Sequence, residues 1–147
     1  MTDPLIGPWA GTFSRPMYAD GVITYSGQGY YNKIFKRLEK DTGINFQRVK
    51  NPAEAEINCL WEDPKIPGVA GIAFGDRNNG DPRWTLKTMP KNMYGRYKST
   101  AAHEVGHALG LQHNHELDTI MSYNRNKQVT TYFTPLDLAA INTVFGD

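Results

Sequence analysis

The sequence predicts an α+β fold, and three observations carry that prediction. Five short β-prone runs fall in the first ninety residues, with one one-faced helical stretch among them. Two further helical stretches follow, one at about 100–109 and one from residue 135. The first of these two opens the string His103-Glu104-Val105-Gly106-His107-Ala108-Leu109-Gly110-Leu111-Gln112-His113, whose spacing ties the fold to a chemistry.

At 147 residues the chain is read as one domain, long enough to bury a sizeable core. Hydrophobic content of 39% and charged content of 21% suit a soluble globular protein. Sixteen Lys and Arg stand against fifteen acids, so charge calls for neither nucleic acid nor a membrane as partner. A monomer is expected. Cys59 is the single cysteine, which excludes an internal disulfide and any multi-cysteine metal site. No apolar run is long enough to span a bilayer, and the first residues lack the basic and apolar regions of a signal peptide.

Residues 1–20 hold three of the nine prolines and read as an irregular arm that lies over the domain or frays. Gly21 to Tyr25 is a first strand. From Gln28 to Lys40, residues Tyr30, Tyr31, Ile34, Phe35 and Leu38 recur at helical spacing, and Asp41-Thr42-Gly43 stops the helix. Strands follow at Ile44–Val49 and Ala55–Trp61, with Cys59 read as a small buried hydrophobe. Gly68 to Phe74 is a short apolar strand and Trp84 to Met89 another. Between them, Gly75 to Pro82 reads as a loop dense in Asp and Asn. Its oxygens could take calcium, but plain turn chemistry needs the same residues and is preferred.

Pro90 to Lys98 reads as a loop, with Ser99 or Thr100 capping the next helix. That helix is apolar nearly all round, through Ala101, Ala102, Val105, Ala108 and Leu109, and so belongs in the interior. Buried histidines and a buried carboxylate need partners there. His103 and His107, four apart, sit one turn above each other and can grip one tetrahedral zinc ion. On a continued helix His113 would lie roughly 15 Å from His103, so the chain must turn, and Gly110 permits the left-handed backbone of such a turn. At about one in twenty per position, the five fixed residues of the string match by chance in roughly four of 100,000 chains of this length. Coincidence is set aside on that ground. His115 is the rival third ligand, and the spacing around Gly110 favours His113. The last helix starts at Thr134-Pro135-Leu136-Asp137, with Thr134 as cap, Pro135 as first helical residue and Asp137 closing a capping box.

The histidine string, followed by Thr119-Ile120-Met121-Ser122-Tyr123, resembles the signature of the metzincin zinc peptidases. Within that clan the chain is similar to matrixins and serralysins from about Gly21 to Gly146. The resemblance implies a twisted, mixed five-stranded sheet with two long helices, an upper lobe at about 21–110, and a lower lobe at about 111–147 closed by a C-terminal helix. It implies one catalytic zinc on His103, His107 and His113, with Glu104 as general base. It places Met121 under the metal, Asp137 as brace of the methionine turn, and Tyr123 as a swinging ligand that stabilises the oxyanion. It makes Gly71, Ile72 and Ala73 part of an edge strand that holds an extended polypeptide substrate. The loop Asn124–Phe133 walls the pocket after the scissile bond in that clan. Arg125 and Lys127 in it could favour an acidic side chain, but are read as solvated.

The short link from His113 to Met121 is matrixin-like, Met121-Ser122-Tyr123 is serralysin-like, and Asn114 fits neither pattern. No second, structural zinc is expected, and calcium is not favoured. Leu136 stands where matrixins carry the acid that anchors a freshly cut N-terminus, so no such anchoring is expected. The resemblance implies secretion, whereas the first residues leave cytoplasmic use or another export route open. The function expected is a zinc-dependent endopeptidase with a zinc-activated water. A zinc-binding assembly module, an aminopeptidase and a narrowly selective processing peptidase stand as alternatives.

Overall fold

The computed structural model describes residues 3–90 and 95–146. Five strands form one sheet: β1 Ile23–Ser26, β2 Phe46–Arg48, β3 Ile57–Trp61, β4 Gly71–Asn78 and β5 Asp81–Thr88. Their spatial order is β2-β1-β3-β5-β4. All neighbours run parallel except β4, which lies antiparallel to β5 on the sheet edge. Three α-helices accompany them: α1 Tyr30–Thr42, α2 Tyr97–Ala108 and α3 Pro135–Gly146. This is the mixed five-stranded sheet with helices that the sequence predicts, with strand ends shifted by up to two residues at the first three strands.

Helix α1 forms where the apolar spacing requires it, burying Tyr31, Ile34, Phe35 and Leu38 against the sheet. Gly43 ends it in the left-handed conformation at φ 78°, its N–H donating to the Glu39 carbonyl at 2.9 Å. The Glu39 carboxylate then accepts the Phe46 N–H at 3.0 Å, which ties the helix to β2.

The stretch Gly75–Pro82 is not the loop that its Asp and Asn content suggests. Strands β4 and β5 run on as a hairpin in which Asn78 faces Asp81 across the turn Asn79-Gly80. Both turn residues have positive φ, 53° and 87°. That geometry matches the right-handed twist of the strands, and Asn-Gly adopts it at little cost. Only the inner side of β5 is covered, at Pro82, Trp84, Leu86 and Thr88.

Helix α2 starts earlier than its capping residues suggest. Arg96 is the cap position, and Ser99 and Thr100 lie inside the helix. The Tyr97 ring meets the edges of Tyr30 and Trp61 at 6.4 and 5.9 Å, and this packing carries the helix back to Tyr97. Residues Lys91 to Tyr94 of the expected loop lie outside the described residues. Every α2 position from Ser99 to Gly106 is buried, as an all-round apolar helix requires.

Of the two outcomes expected for the N-terminal arm, residues 3–18 lie over the domain, and they are partly helical. Ala10–Ser14 and Arg15–Tyr18 are short helical turns. Ile6 bridges antiparallel to Leu111, Gly7 N–H donates to the Gly110 carbonyl at 2.7 Å, and Gln112 N–H to that of Leu5 at 2.8 Å. The Trp84 indole donates to the Phe13 carbonyl at 3.0 Å. Among the described residues no helix is long and apolar enough to cross a membrane.

Candidate active site

The buried end of α2 presents His103, Glu104 and His107 to a cleft of about 390 Å³ between β4 and the segment after α2. After His107 the chain folds back. Gly110 at φ +100° makes the turn, with its N–H on the His107 carbonyl and Leu111 N–H on that of Gly106. A side chain at Gly110 would press within 2.9 Å of the Ala10 Cβ. The turn delivers His113 beside the two helical histidines. The three Nε2 atoms lie 3.0, 3.0 and 3.2 Å apart.

Their other nitrogens decide the tautomers. His103 Nδ1 lies 2.8 Å from the Ile120 carbonyl, and His107 Nδ1 lies 2.9 Å from that of Leu111. A carbonyl only accepts, so each Nδ1 carries the proton and each Nε2 turns a lone pair inward. Two inward lone pairs, with His113 Nε2 at the same range, suit a cation between the three rings. A tetrahedral zinc with nitrogens at about 2.0–2.1 Å needs them about 3.3 Å apart. The donor set therefore fits such an ion, and these three histidines form the one His, Cys, Asp or Glu cluster with metal-ligand proximity among the described residues. Burial lowers all three imidazoles, His107 to about 4, and neighbouring histidines lower them further. They stand neutral, as ligands must.

Glu104 is buried on the same wall. Burial raises its carboxyl to about 8, against the pull of Arg125 and Lys127. Gly71 explains how the edge strand comes so close: a Cβ there would sit 2.7 Å from Glu104 Oε2 and 2.6 Å from Thr100 Cγ2. Gly71, Ile72 and Ala73 line the cleft, half-buried, on the strand whose outer edge is unpaired within the sheet.

Met121 is fully buried and packs on Gly106, where an added Cβ would lie 2.7 Å from its sulfur. Asp137 holds this turn. One of its oxygens accepts from Ile120 N–H at 3.0 Å and from Thr134 N–H and Oγ1 at 2.8 Å each, while Thr134 Oγ1 accepts the Asp137 N–H at 3.4 Å. The capping box of α3 and the turn before it share one carboxylate.

Tyr123 stands exposed at the rim, its ring 4.2 Å from that of His113. Burial and Glu104 raise its phenol. His115 lies outside the three-nitrogen cluster. Its Nδ1 accepts the Tyr123 N–H at 3.2 Å and its ring stacks on Tyr123 at 4.8 Å, so it orients the tyrosine.

Arg125 is the residue that sequence reasoning misplaced. It is 8% exposed, not solvated. Its Nε donates to Ser99 Oγ at 2.8 Å and its Nη1 to the Ser122 carbonyl at 2.7 Å. No periodicity marks it, because its partner Ser99 lies on α2, 26 residues earlier.

The sequence profile of the matrixin family matches residues 67–146, from the entry to β4 through α3. The chain belongs to this family. Among curated relatives, interstitial collagenase of Sus scrofa is 32% identical over 80 residues, covering 54% of this chain and 16% of that protein. Interstitial collagenase of Aquarana catesbeiana is 28% identical over 131 residues, covering 80% of this chain and 32% of that protein. This matrixin thus spans a third or less of the length of these relatives.

Proposed function

We propose that this matrixin is a zinc-dependent endopeptidase. The observation that carries the reading is the convergence of three neutral Nε2 atoms beside a buried carboxylate in one cleft. His103, His107 and His113 are the residues that would hold zinc. When bound, zinc would acidify a water and polarise the scissile carbonyl. Glu104 takes a proton from the attacking water and passes it to the leaving amine. Tyr123 donates its phenolic hydrogen to the developing oxyanion. Met121 and Asp137 keep the turn beneath the histidines in place. The backbone of Gly71 to Ala73 pairs with an extended polypeptide, a recognition mode indifferent to most side chains. On this reading the two walls, 21–110 and 111–147, work as one catalytic domain, and the relatives' naming as collagenases agrees with a peptide substrate.

The test is zinc content together with cleavage of end-blocked, internally quenched peptides, with and without a chelator. The expected result is one zinc per chain and internal cleavage that the chelator abolishes. Glu104→Ala should retain zinc and lose about 10²–10⁴-fold in turnover. Full hydrolysis by that variant removes Glu104 from its role, and absence of zinc removes the proposal.

A further inference from the structure

Arg125 is a buried cation with no carboxylate in direct contact, and Glu104 and Asp137 are the acids whose charge reaches it. It is almost fully buried, and its guanidinium donates to two neutral oxygens, on Ser99 and Ser122. Neither the Arg37–Asp41 nor the Lys87–Glu62 ion pair involves Arg125. A guanidinium held by neutral oxygens has N–H groups left that can take a carboxylate. Lys127 faces the same cleft. An adjoining cavity of about 260 Å³ is also lined by Arg125 and Lys127, together with Arg96, so the basic character continues past the cleft wall. Against these stand Glu104, which lines the cleft and which the proposed chemistry uses for proton transfer, and Asp137, whose carboxylate is taken up by Ile120 and Thr134.

The position of the two cations along β4 says which part of a peptide would meet them. The cleft takes in the chain from Gly68 to Ala73. A second groove of about 360 Å³, walled by Trp9, Phe13, Phe74 and Trp84, lies farther along the strand, at Ala73 to Gly75, next to His107. A peptide adding to the free edge of β4 in the antiparallel sense has its earlier residues along Phe74 and Gly75. Its residues beyond the reacting carbonyl run back toward Gly71 and Gly68. Those later residues enter the end that holds Arg125 and Lys127.

We propose, resting on the peptidase reading above, that Arg125 and Lys127 bind a carboxylate carried by the substrate residue immediately C-terminal to the scissile bond. Burial lowers the Lys127 ammonium, and Arg125 and Arg96 lower it further. An incoming carboxylate relieves that crowding of like charge. The carboxylate has two sources, an Asp or Glu side chain within a longer chain or the free C-terminus of a short one.

The experiment uses the zinc-loaded chain and two peptide series. In the end-blocked series the residue after the cut is Asp, Glu, Leu or Phe. In the second series that residue is Leu, with a free or an amidated C-terminus. The expected kcat/KM for Asp or Glu is at least about tenfold above Leu or Phe. Lys127→Gln should shrink that ratio about tenfold, and Lys127→Glu should invert it. Arg125→Gln should shrink it further, and because Arg125 is buried the Lys127 variants keep the test decisive should that protein fail to fold. A gain confined to the free C-terminus assigns the carboxylate to a chain end and still supports the site. The same peptides are titrated by fluorescence anisotropy onto zinc-loaded Glu104→Gln, with and without Lys127→Gln. Acidic peptides that bind through Lys127 but are never cut keep this site and remove the peptidase reading. Cleavage that favours Leu or Phe, with no gain from a free C-terminus, overturns the site and keeps the peptidase. A preference for acids that ignores both Lys127 variants, or that falls at another position of the peptide, also overturns it.

Discussion

The sheet with α1 and α2 and the segment from Leu111 to Thr134 are held together by different forces. In the first, backbone ladders and a buried apolar face do most of the work: β3 pairs with β5 over five residues, and α1 buries four large side chains. The second contains no helix or strand beyond the single Ile6–Leu111 bridge. Side chains take over the role of the ladders there. Asp137 collects three hydrogen bonds, the two helical histidines hold the Ile120 and Leu111 carbonyls, and Arg125 pins Ser122 to α2 through Ser99. A region built this way depends on a few polar atoms, and every one of them is near the candidate metal site.

Metal removal should separate the two regions most widely. A ligand at 1,000 times its dissociation constant stabilises the native state by about 4 kcal/mol. Hydrogen exchange before and after chelation should show the amides of 111–134 losing protection, while those of β3 and β5 keep most of theirs. Equal loss in both would mean that the metal supports the whole fold and that the contrast is false.

Asp137→Ala attacks the same region without touching a proposed ligand. It strips the acceptor from the Ile120 and Thr134 N–H groups, and Ile120 in turn fixes His103 through its carbonyl. Urea unfolding should report a loss of about 3 kcal/mol. Zinc affinity should fall by about 10–100-fold, the usual effect of losing support behind a ligand. Unchanged zinc affinity would cut the proposed link from Asp137 to the metal.

The contrast also explains what could be read from the sequence. Helix α1, its Gly43 stop, the capping box of Thr134 and Asp137, and the turn at Gly110 are written in local spacing. The histidine string is local too, which is why its spacing alone brings the three rings to mind as one cluster. Four features could not be read this way. The hairpin turn at Asn79-Gly80 carried its usual signal, but the neighbouring Asp and Asn residues read as loop. The early start of α2 depends on Tyr97 meeting Tyr30 and Trp61, 67 and 36 positions away in sequence. The helical turns of the first twenty residues form against Gly110, Phe13 and Trp84 contacts that no local pattern announces. Arg125 sits in a polar run, and only Ser99 on another element reveals that it is buried.

Gly110→Ala tests the junction between the two regions. At φ +100° a side chain is strained, and its Cβ would also crowd Ala10 and Val144 at 2.9 and 3.2 Å. The expected cost is about 2 kcal/mol, with weaker zinc binding because His113 follows the turn. A stable variant with full zinc affinity would show that another backbone path can deliver His113.

Tyr31→Phe provides the smallest effect and the sharpest control. The Tyr31 hydroxyl shares a short contact with Thr88 Oγ1 and lies 3.4 Å from the Leu60 carbonyl, deep in the sheet. Burial raises its phenol well beyond the usual range, so it stays neutral. Losing one neutral hydrogen bond, with the ring still packed, should cost about 1 kcal/mol. Zinc affinity should change little, since the Tyr31 hydroxyl hydrogen-bonds to Thr88 and Leu60 and not to the histidines. Asp137 is different in kind: it is a carboxylate serving three donors on two elements, and its removal leaves all three unsatisfied. The ratio of these two losses measures how far the 111–134 segment depends on single polar atoms where the sheet does not. A ratio near one would mean that both regions rest on their apolar packing.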